Sequence, residues 1–449
     1  MAESGALRTP FVLGTPIKNP ADFFGRKRVL RELYDAILDR QLVTVVGEHR
    51  CGNTSVIYQL LHEEQRARFL TPQQDEGLLF VFVSAQLAAE GPHALLRRIA
   101  LSLRRATPDA TVDVADGAGQ RWLENALEDL ADRGRRLVLL IDEFEVLAAL
   151  DPLFWEWFQS LVTEYDVAIV ATSRKDLGRF RSERGMGPPF YNMFRSVYIG
   201  SFTAETVSHF LREKSDITDF DFFAVRDFIE DLAGRFPYYM QVAAALCYLQ
   251  AAGGDSIGPE GLTTVRREFE ARTCKLFDDA WPKLPHAERE ALSWLVIGGS
   301  PVGDAEAEAE FRLAIRSLER RGYVLEERVF SSAFAAFVRR RVKRIDLNRA
   351  TDKVRVERRL VKLSHREAAL LAYLMKREGE VVPRDDILRA VWPEHADEPG
   401  RLTPAMLSDT LERLCHIIEG DSGTTHVERL GNEGFRFDNT PFPGLEPPD

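Results

Sequence analysis

The chain has no stretch that approaches the roughly twenty apolar residues a membrane helix needs, so no membrane partner is expected. Its first residues, with Glu3 and Arg8 and no apolar core, lack the pattern of a signal peptide. Four cysteines, Cys51, Cys247, Cys274 and Cys415, are scattered with no C-x-x-C spacing, which indicates neither a zinc site nor a disulfide framework. These absences point to a cytoplasmic protein with reduced, buried thiols. The net charge of −11 argues against a protein that coats nucleic acid along its whole surface. The 45% hydrophobic and 29% charged residues are those of an ordinary globular protein, and 449 residues suffice for about three domains.

One missing lysine says most about function. Residues 47–54 read Gly-Glu-His-Arg-Cys-Gly-Asn-Thr, against the phosphate-loop pattern G-x-x-x-x-G-K-[ST]. In that pattern backbone N–H groups and a helix N-terminus cradle phosphates, the lysine places a charge on the β/γ-phosphates, and the hydroxyl holds Mg²⁺. Gly47, Gly52 and Thr54 are in place, followed by Ser55, but Asn53 stands where lysine belongs. The context fits: Leu42–Val46 is an apolar, β-branched stretch suited to a buried parallel strand, and Ser55–Leu61 reads as a helix start. About ninety residues on, Leu137–Ile141 leads into Asp142 and Glu143. There the aspartate is expected near Mg²⁺ and the glutamate can polarise a water. The pair of motifs in this order marks a site for ATP or ADP with Mg²⁺.

Further strands are expected at Leu78–Ser84, Val167–Thr172 and Ser196–Ile199, with helices between them at Ala94–Arg105, Gln120–Arg133 and Leu153–Glu164. Alternating strands and helices predict an α/β class with a parallel sheet covered on both faces. From Thr203 the strands stop, and Ala204–Lys214, Phe222–Ala233 and Tyr238–Ala252 read as a helical lid, broken by Gly234–Pro237. His286–Val296 and Phe311–Arg321 are amphipathic and precede two short β-like pieces, Gly322–Leu325 and Arg328–Phe330, which suggests a winged helix. A last unit repeats that logic. It has a hairpin at Val354–Leu363, a capping box at Ser364–Glu367, helices at Ala368–Lys376, Arg384–Val391 and Thr403–Ile418, and a glycine-bearing hairpin at His426–Phe437.

Residues 15–345 resemble P-loop ATPases of the STAND/AAA+ type, in particular the archaeal-ATPase, Orc/Cdc6-like branch. The resemblance rests on the Phe24-Gly25-Arg26 box, the Gly47–Thr54 loop, Asp142-Glu143, the Thr172-Ser173-Arg174 strand end and the Gly234–Pro237 turn. It implies that Gly25, Arg26 and Pro237 flank adenine, that Arg174 senses the γ-phosphate beside the catalytic Glu143, and that Thr54 and Asp142 hold Mg²⁺. Arg50, Asn53 and Ser55 complete the expected nucleotide-binding set. It also implies self-association as a homo-oligomer, with roles in signalling or defence. Residues 347–438 resemble the OmpR/PhoB-type winged helix through Val354–Val356, Leu363–Glu367, Gly379–Val382, Trp392 and the Gly431–Phe437 wing.

The expected organisation is therefore an N-terminal extension (1–20), a P-loop NTPase α/β core (21–202), a helical lid (203–275), a winged helix (276–345), an OmpR/PhoB-like winged helix (346–440) and a tail (441–449). Two readings of the output stand side by side. Residues 363–449 carry 9 Lys/Arg against 17 Asp/Glu, a net of −8, a poor footprint for double-stranded DNA. The connector Arg339–Lys362 carries 11 basic and 3 acidic residues, a net of +8; it suits either a phosphate backbone or an acidic neighbouring domain. The expected function is an ATP-binding switch with slow or absent hydrolysis that engages a protein partner or effector. A DNA-binding regulator and a pseudo-ATPase scaffold are the alternatives.

Overall fold

The computed structural model describes residues 10–107, 119–177, 189–251, 257–301, 304–342, 345–395, 403–419, 425–431 and 433–439. The start of the expected extension (1–9), the tail 441–449, Asn432 of the wing, and Lys343 and Arg344 of the connector lie outside the described residues. The chain forms two compact units, residues 1–273 with 320–323, and residues 274–319 with 324–449.

The first unit is built on a parallel sheet of β1 (Leu42–Val46), β2 (Leu78–Ser84), β3 (Arg136–Asp142), β4 (Ala168–Ser173) and β5 (Arg195–Tyr198), in the order β2-β3-β4-β1-β5. β1 and β4 are buried at every position, as befits parallel strands covered on both faces. Around them run α1 (Lys27–Leu38), α2 (Asn53–Leu60), the short α3 (Glu63–Arg66) and α4 (Pro72–Glu76), α5 (Pro92–Ala106), α6 (Gln120–Asp132) and α7 (Pro152–Glu164). Leu95, Ile99, Leu127 and Phe158 from α5, α6 and α7 share one core with β2 and β3. The strand order positions the site. β4 lies between β1 and β3, so the loop after β1 and the acidic end of β3 are two strand spacings apart, roughly 10 Å. The end of β4 fills the gap.

α8 (Ala204–Asp216), α9 (Arg226–Ala233) and α10 (Pro237–Gln250) follow in the expected helical region. Gly234, at φ 60°, closes α9, and Pro237 opens α10 at its first turn, where a missing N–H costs nothing. α11 (Pro259–Ala280) has no counterpart in the sequence expectation. Its buried side chains, Val265, Phe269, Thr273 and Phe277, recur every fourth residue.

The second unit contains α12 (His286–Val296) and most of α13 (Ala305–Arg321), then the hairpin β6 (Val324–Leu325) and β7 (Arg328–Val329), and α14 (Ser332–Arg339). It continues with an antiparallel sheet of β8 (Ile345–Asn348), β9 (Lys353–Val356) and β10 (Arg359–Lys362). α15 (His365–Met375), β11 (Val381–Val382), α16 (Arg384–Val391), α17 (Pro404–Glu419), β12 (Val427–Leu430) and β13 (Gly434–Phe437) complete it, the last sheet having the order β11-β13-β12. Ser364 and Glu367 form the expected reciprocal cap of α15.

The basic connector turns out to be largely sheet. Lys353 on β9 is buried, with Nζ 2.9 Å from Asp304 Oδ2 and 3.0 Å from Glu306 Oε2. Arg355, also buried, lies 3.7 Å from Asp346 and donates to the Glu357 carbonyl. Arg341 pairs with Asp278. These cations dock on acidic neighbours, while Arg339, Arg358, Arg359 and Lys362 remain on the surface.

Candidate nucleotide site

The chain leaves β1 at Val46 and turns through Gly47–Gly52 into α2. A Cβ on Gly47 would meet Asn53 Oδ1 at 2.4 Å and Ile199 Cγ1 at 2.6 Å, so any larger residue would have to displace both side chains. Gly52 takes φ 97°, a left-handed conformation that costs glycine no steric penalty. The first N–H groups of α2 have no partner within the helix, and such a terminus favours an anion. Asn53, the first residue of α2, donates from Nδ2 to the Gly47 carbonyl at 2.8 Å. Its Oδ1 is buried without a partner. The carboxamide thus closes the loop on itself and contributes no charge.

The acidic half is assembled on the sheet. Thr54 Oγ1 donates to Asp142, 3.0 and 3.2 Å from the two carboxylate oxygens. Thr172 Oγ1 on β4 donates to Asp142 Oδ1 at 2.6 Å and accepts from Glu143 N at 2.8 Å, fixing both acids. Glu143 sits at φ 58°. Desolvation, and then the adjoining Asp142 carboxylate, raise its pKa above the usual carboxylate value, with Arg174 opposing them. The Arg174 Nη2 lies 3.5 Å from Glu143 and its Nε 3.8 Å from Glu145. A hydroxyl and a carboxylate side by side are hard oxygen donors of the kind Mg²⁺ takes, and an acid with a raised pKa next to them is suited to proton transfer.

One cavity collects most of the expected residues: Arg26, Arg50, Gly52, Asn53, Thr54 and Ser55 from one side, and Asp142, Glu143, Arg174 and Pro237 from others. Gly25 and Gly47 adjoin it without lining it. Gly25, at φ 68°, packs so closely on α8 that a Cβ would meet Thr206 at 2.6 Å. Arg26 and Arg50 are both engaged by groups of the chain itself. Arg26 donates to the carbonyls of Gly200, Ser201 and Cys51, tying the loop to the end of β5. Arg50 lies over the Tyr238 ring, 4.8 Å from its centroid, and donates to the Gly14 carbonyl at 3.2 Å. Ser55 accepts from Ile17 N at 3.0 Å. Three arginines line the cavity against five carboxylates, those of Asp22, Glu48, Asp142, Glu143 and Glu145.

Sequence reading missed several parts. The N-terminal extension, the lead-in to α1, forms one wall of the cavity through Val12, Thr15, Pro16 and Ile17. It is pinned by Ser55, by Gln59, and by Lys214, whose Nζ donates to the Pro10 carbonyl at 2.9 Å. Gln241 also lines the cavity; its position four residues after Pro237, on the same helical face, is the signal that could have found it. Glu48 is held within the first unit by Arg321 Nε at 2.6 Å and Tyr323 OH at 3.1 Å. No local motif reveals that pairing, because 273 positions separate Glu48 from Arg321. Cys51, in the loop, and Cys247 are buried, which pushes both thiols up to about 12. At pH 8 the thiolate is then about one part in ten thousand. Iodoacetamide is expected to leave both unmodified in the native protein and to label them after denaturation, as read by mass spectrometry.

Among the described residues no helix is long and apolar enough to cross a membrane. Residues 17–232 match the family model described as Novel STAND NTPase 1, and residues 357–436 match that of Transcriptional regulatory protein, C terminal. No curated protein matches the chain. Among solved structures, the Walker-type ATPase paby2304 of Pyrococcus abyssi is 15% identical, with 72% of this chain and 98% of that chain covered and a TM-score of 0.49. The Aeropyrum pernix ORC2 protein, in ADPNP-ADP complexes, is 14% identical over 70% of this chain and 91% of its own, with a TM-score of 0.44. The DNA-binding domain of E. coli CadC is 17% identical over 21% of this chain and 87% of its own, with a TM-score of 0.19.

Proposed function

We propose, of a chain that couples a STAND-type NTPase segment to an OmpR/PhoB-type C-terminal domain, that it is a nucleotide-dependent switch with slow or no hydrolysis. The observation that carries this reading is the split state of the site. Thr54 and Asp142, which would hold the metal, are hydrogen-bonded to one another beside Glu143, whereas the lysine is replaced by an asparagine bonded to Gly47. ATP or ADP would be held by the Gly47–Gly52 loop and the start of α2, with Mg²⁺ on Thr54 and Asp142. Bound Mg²⁺ would supply the positive charge that the loop lacks. Arg174 and Glu143, facing one another, are the groups whose contacts would differ between di- and triphosphate. A ligand shifts a conformational equilibrium only by such a difference. The output would be partner binding through the winged-helix region, with self-association in the ATP state.

Titration with fluorescent ATP and ADP analogues tests this. Micromolar binding is expected with Mg²⁺, weakened roughly tenfold or more by EDTA or by Asp142→Asn. No nucleotide binding under any condition would leave a scaffold whose winged helices hold the function.

A second reading, DNA as the partner, is supported by the match to the transcriptional-regulator C-terminal model. The charges weigh against it. The exposed face of α17 presents Asp409 and Glu412 with Arg413 and His416, and Arg436 of the wing is engaged by Glu428 and Asp438. DNA affinity comes from phosphate neutralisation, so a protein partner fits this face better. Duplex binding with a steep salt dependence would reverse that preference.

A further inference from the structure

The cavity is lined by more than phosphate-loop and acidic groups. Besides the loop and the acids its lining includes apolar side chains, with Ile17, Phe24, Phe210 and Pro237 among them. Asp22 and Gln241 are among the polar side chains that line it with them. Asp22 is engaged: its Oδ1 lies 3.3 Å from Lys214 Nζ and its Oδ2 accepts from Asn19 at 3.4 Å. Gln241 is different. It is buried on α10, and its Oε1 accepts from Val12 N at 2.9 Å. That bond fixes which way the carboxamide faces, because the other terminus, Nε2, is a donor and cannot accept. Among the described residues no group accepts from Nε2. An amide donor is therefore aimed by a helix and a backbone N–H, beside aromatic and proline surfaces suited to a flat ring.

We propose that Gln241 reads the base of the bound nucleotide, donating from Nε2 to an acceptor nitrogen of a purine ring. The inference rests on the nucleotide reading above and adds a specificity-determining residue to it. Helix-borne groups hold geometry better than loop-borne ones. A site built to hydrogen-bond one ring atom also discriminates against an analogue that lacks it, since the buried donor is then left unpaired. The same residue links base recognition to the lead-in, because its other terminus holds Val12.

Gln241→Glu separates the two roles: a carboxylate still accepts from Val12 N but has no hydrogen to donate. With Mg²⁺ present, the variant is expected to bind ADP roughly five- to tenfold more weakly than the natural protein, and inorganic pyrophosphate with a smaller loss that reflects the added carboxylate charge alone. The natural protein itself should lose the same factor for one of three analogues, the 1-deaza, 3-deaza or 7-deaza adenine nucleotide, and that loss should vanish in the variant. Equal ADP affinity in Gln241→Glu, or equal affinity of the natural protein for ADP and all three analogues, overturns the proposal while leaving the nucleotide site intact. Binding of pyrophosphate but of no nucleotide would overturn it too. Failure of the natural protein to bind either ligand sinks the nucleotide reading, and this one with it.

Discussion

Asn53→Lys is expected to bind ATP tenfold to over a hundredfold more tightly than the natural protein, and to gain more than that in hydrolysis. The natural carboxamide is neutral and spent on the Gly47 carbonyl, in a cavity where carboxylates outnumber arginines. A charge-assisted contact in such a place is worth roughly 1.5–3 kcal/mol, and about 1.4 kcal/mol corresponds to a factor of ten. Hydrolysis gains further because lysine also stabilises charge that develops in the transition state. ADP, with no γ-phosphate, should gain less than ATP. Calorimetric titration with both nucleotides and a phosphate-release assay read these differences. If the natural protein turned over ATP as fast as the lysine variant, the charge would already be supplied from elsewhere, with Arg174 the first suspect.

Gly434→Ala should cost on the order of 4 kcal/mol, at the upper end for a single substitution. Gly434 begins β13 at φ 139°, and a Cβ there would lie 2.1 Å from the Val382 carbonyl oxygen and 3.1 Å from Pro383 Cα. Both obstacles are backbone, so β11 and the start of α16 would have to move. Gly431→Ala is the matched control. It also carries a positive φ, 52°, but nothing stands within 4 Å, so only the left-handed backbone penalty of about 1–2 kcal/mol applies. Hydrogen exchange of the β12–β13 amides should separate the two variants. Equal protection in both would mean the sheet tolerates the clash by shifting, contrary to expectation.

The parts legible in the sequence are those whose signal is local. β1 and β2 fall at their expected limits because each is an apolar run bounded by turn residues. Ser364 and Glu367 announce α15 because a capping box is a four-residue pattern. α11 was hidden by the economy of its buried stripe, one residue in four with charged residues between. β8 was hidden by the basic run around it, since its strand character comes from pairing with β9 and not from its own composition. In the site, Thr54, Asp142 and Glu143 could be read because they belong to short motifs. Thr172 as the hydroxyl that orients Asp142 depends on which strand adjoins the loop, which only the fold decides.

The walls of the cavity have a practical bearing on where this chain can be cut. The NTPase family match runs from residue 17 to residue 232, and those limits are natural choices for producing the segment by itself. Both discard part of the enclosure. The N-terminal limit removes Val12, Thr15 and Pro16, and the C-terminal one removes Pro237, Tyr238 and Gln241. The N-terminal limit would also strip the Pro10 carbonyl from Lys214, a buried ammonium left with Asp22 and the Phe24 ring. A fragment with those limits would keep the loop and the acids yet present them to water on two sides. A tag attached near Pro10 would pull on the same wall. Expression of the first unit should therefore begin upstream of Pro10 and run beyond α10.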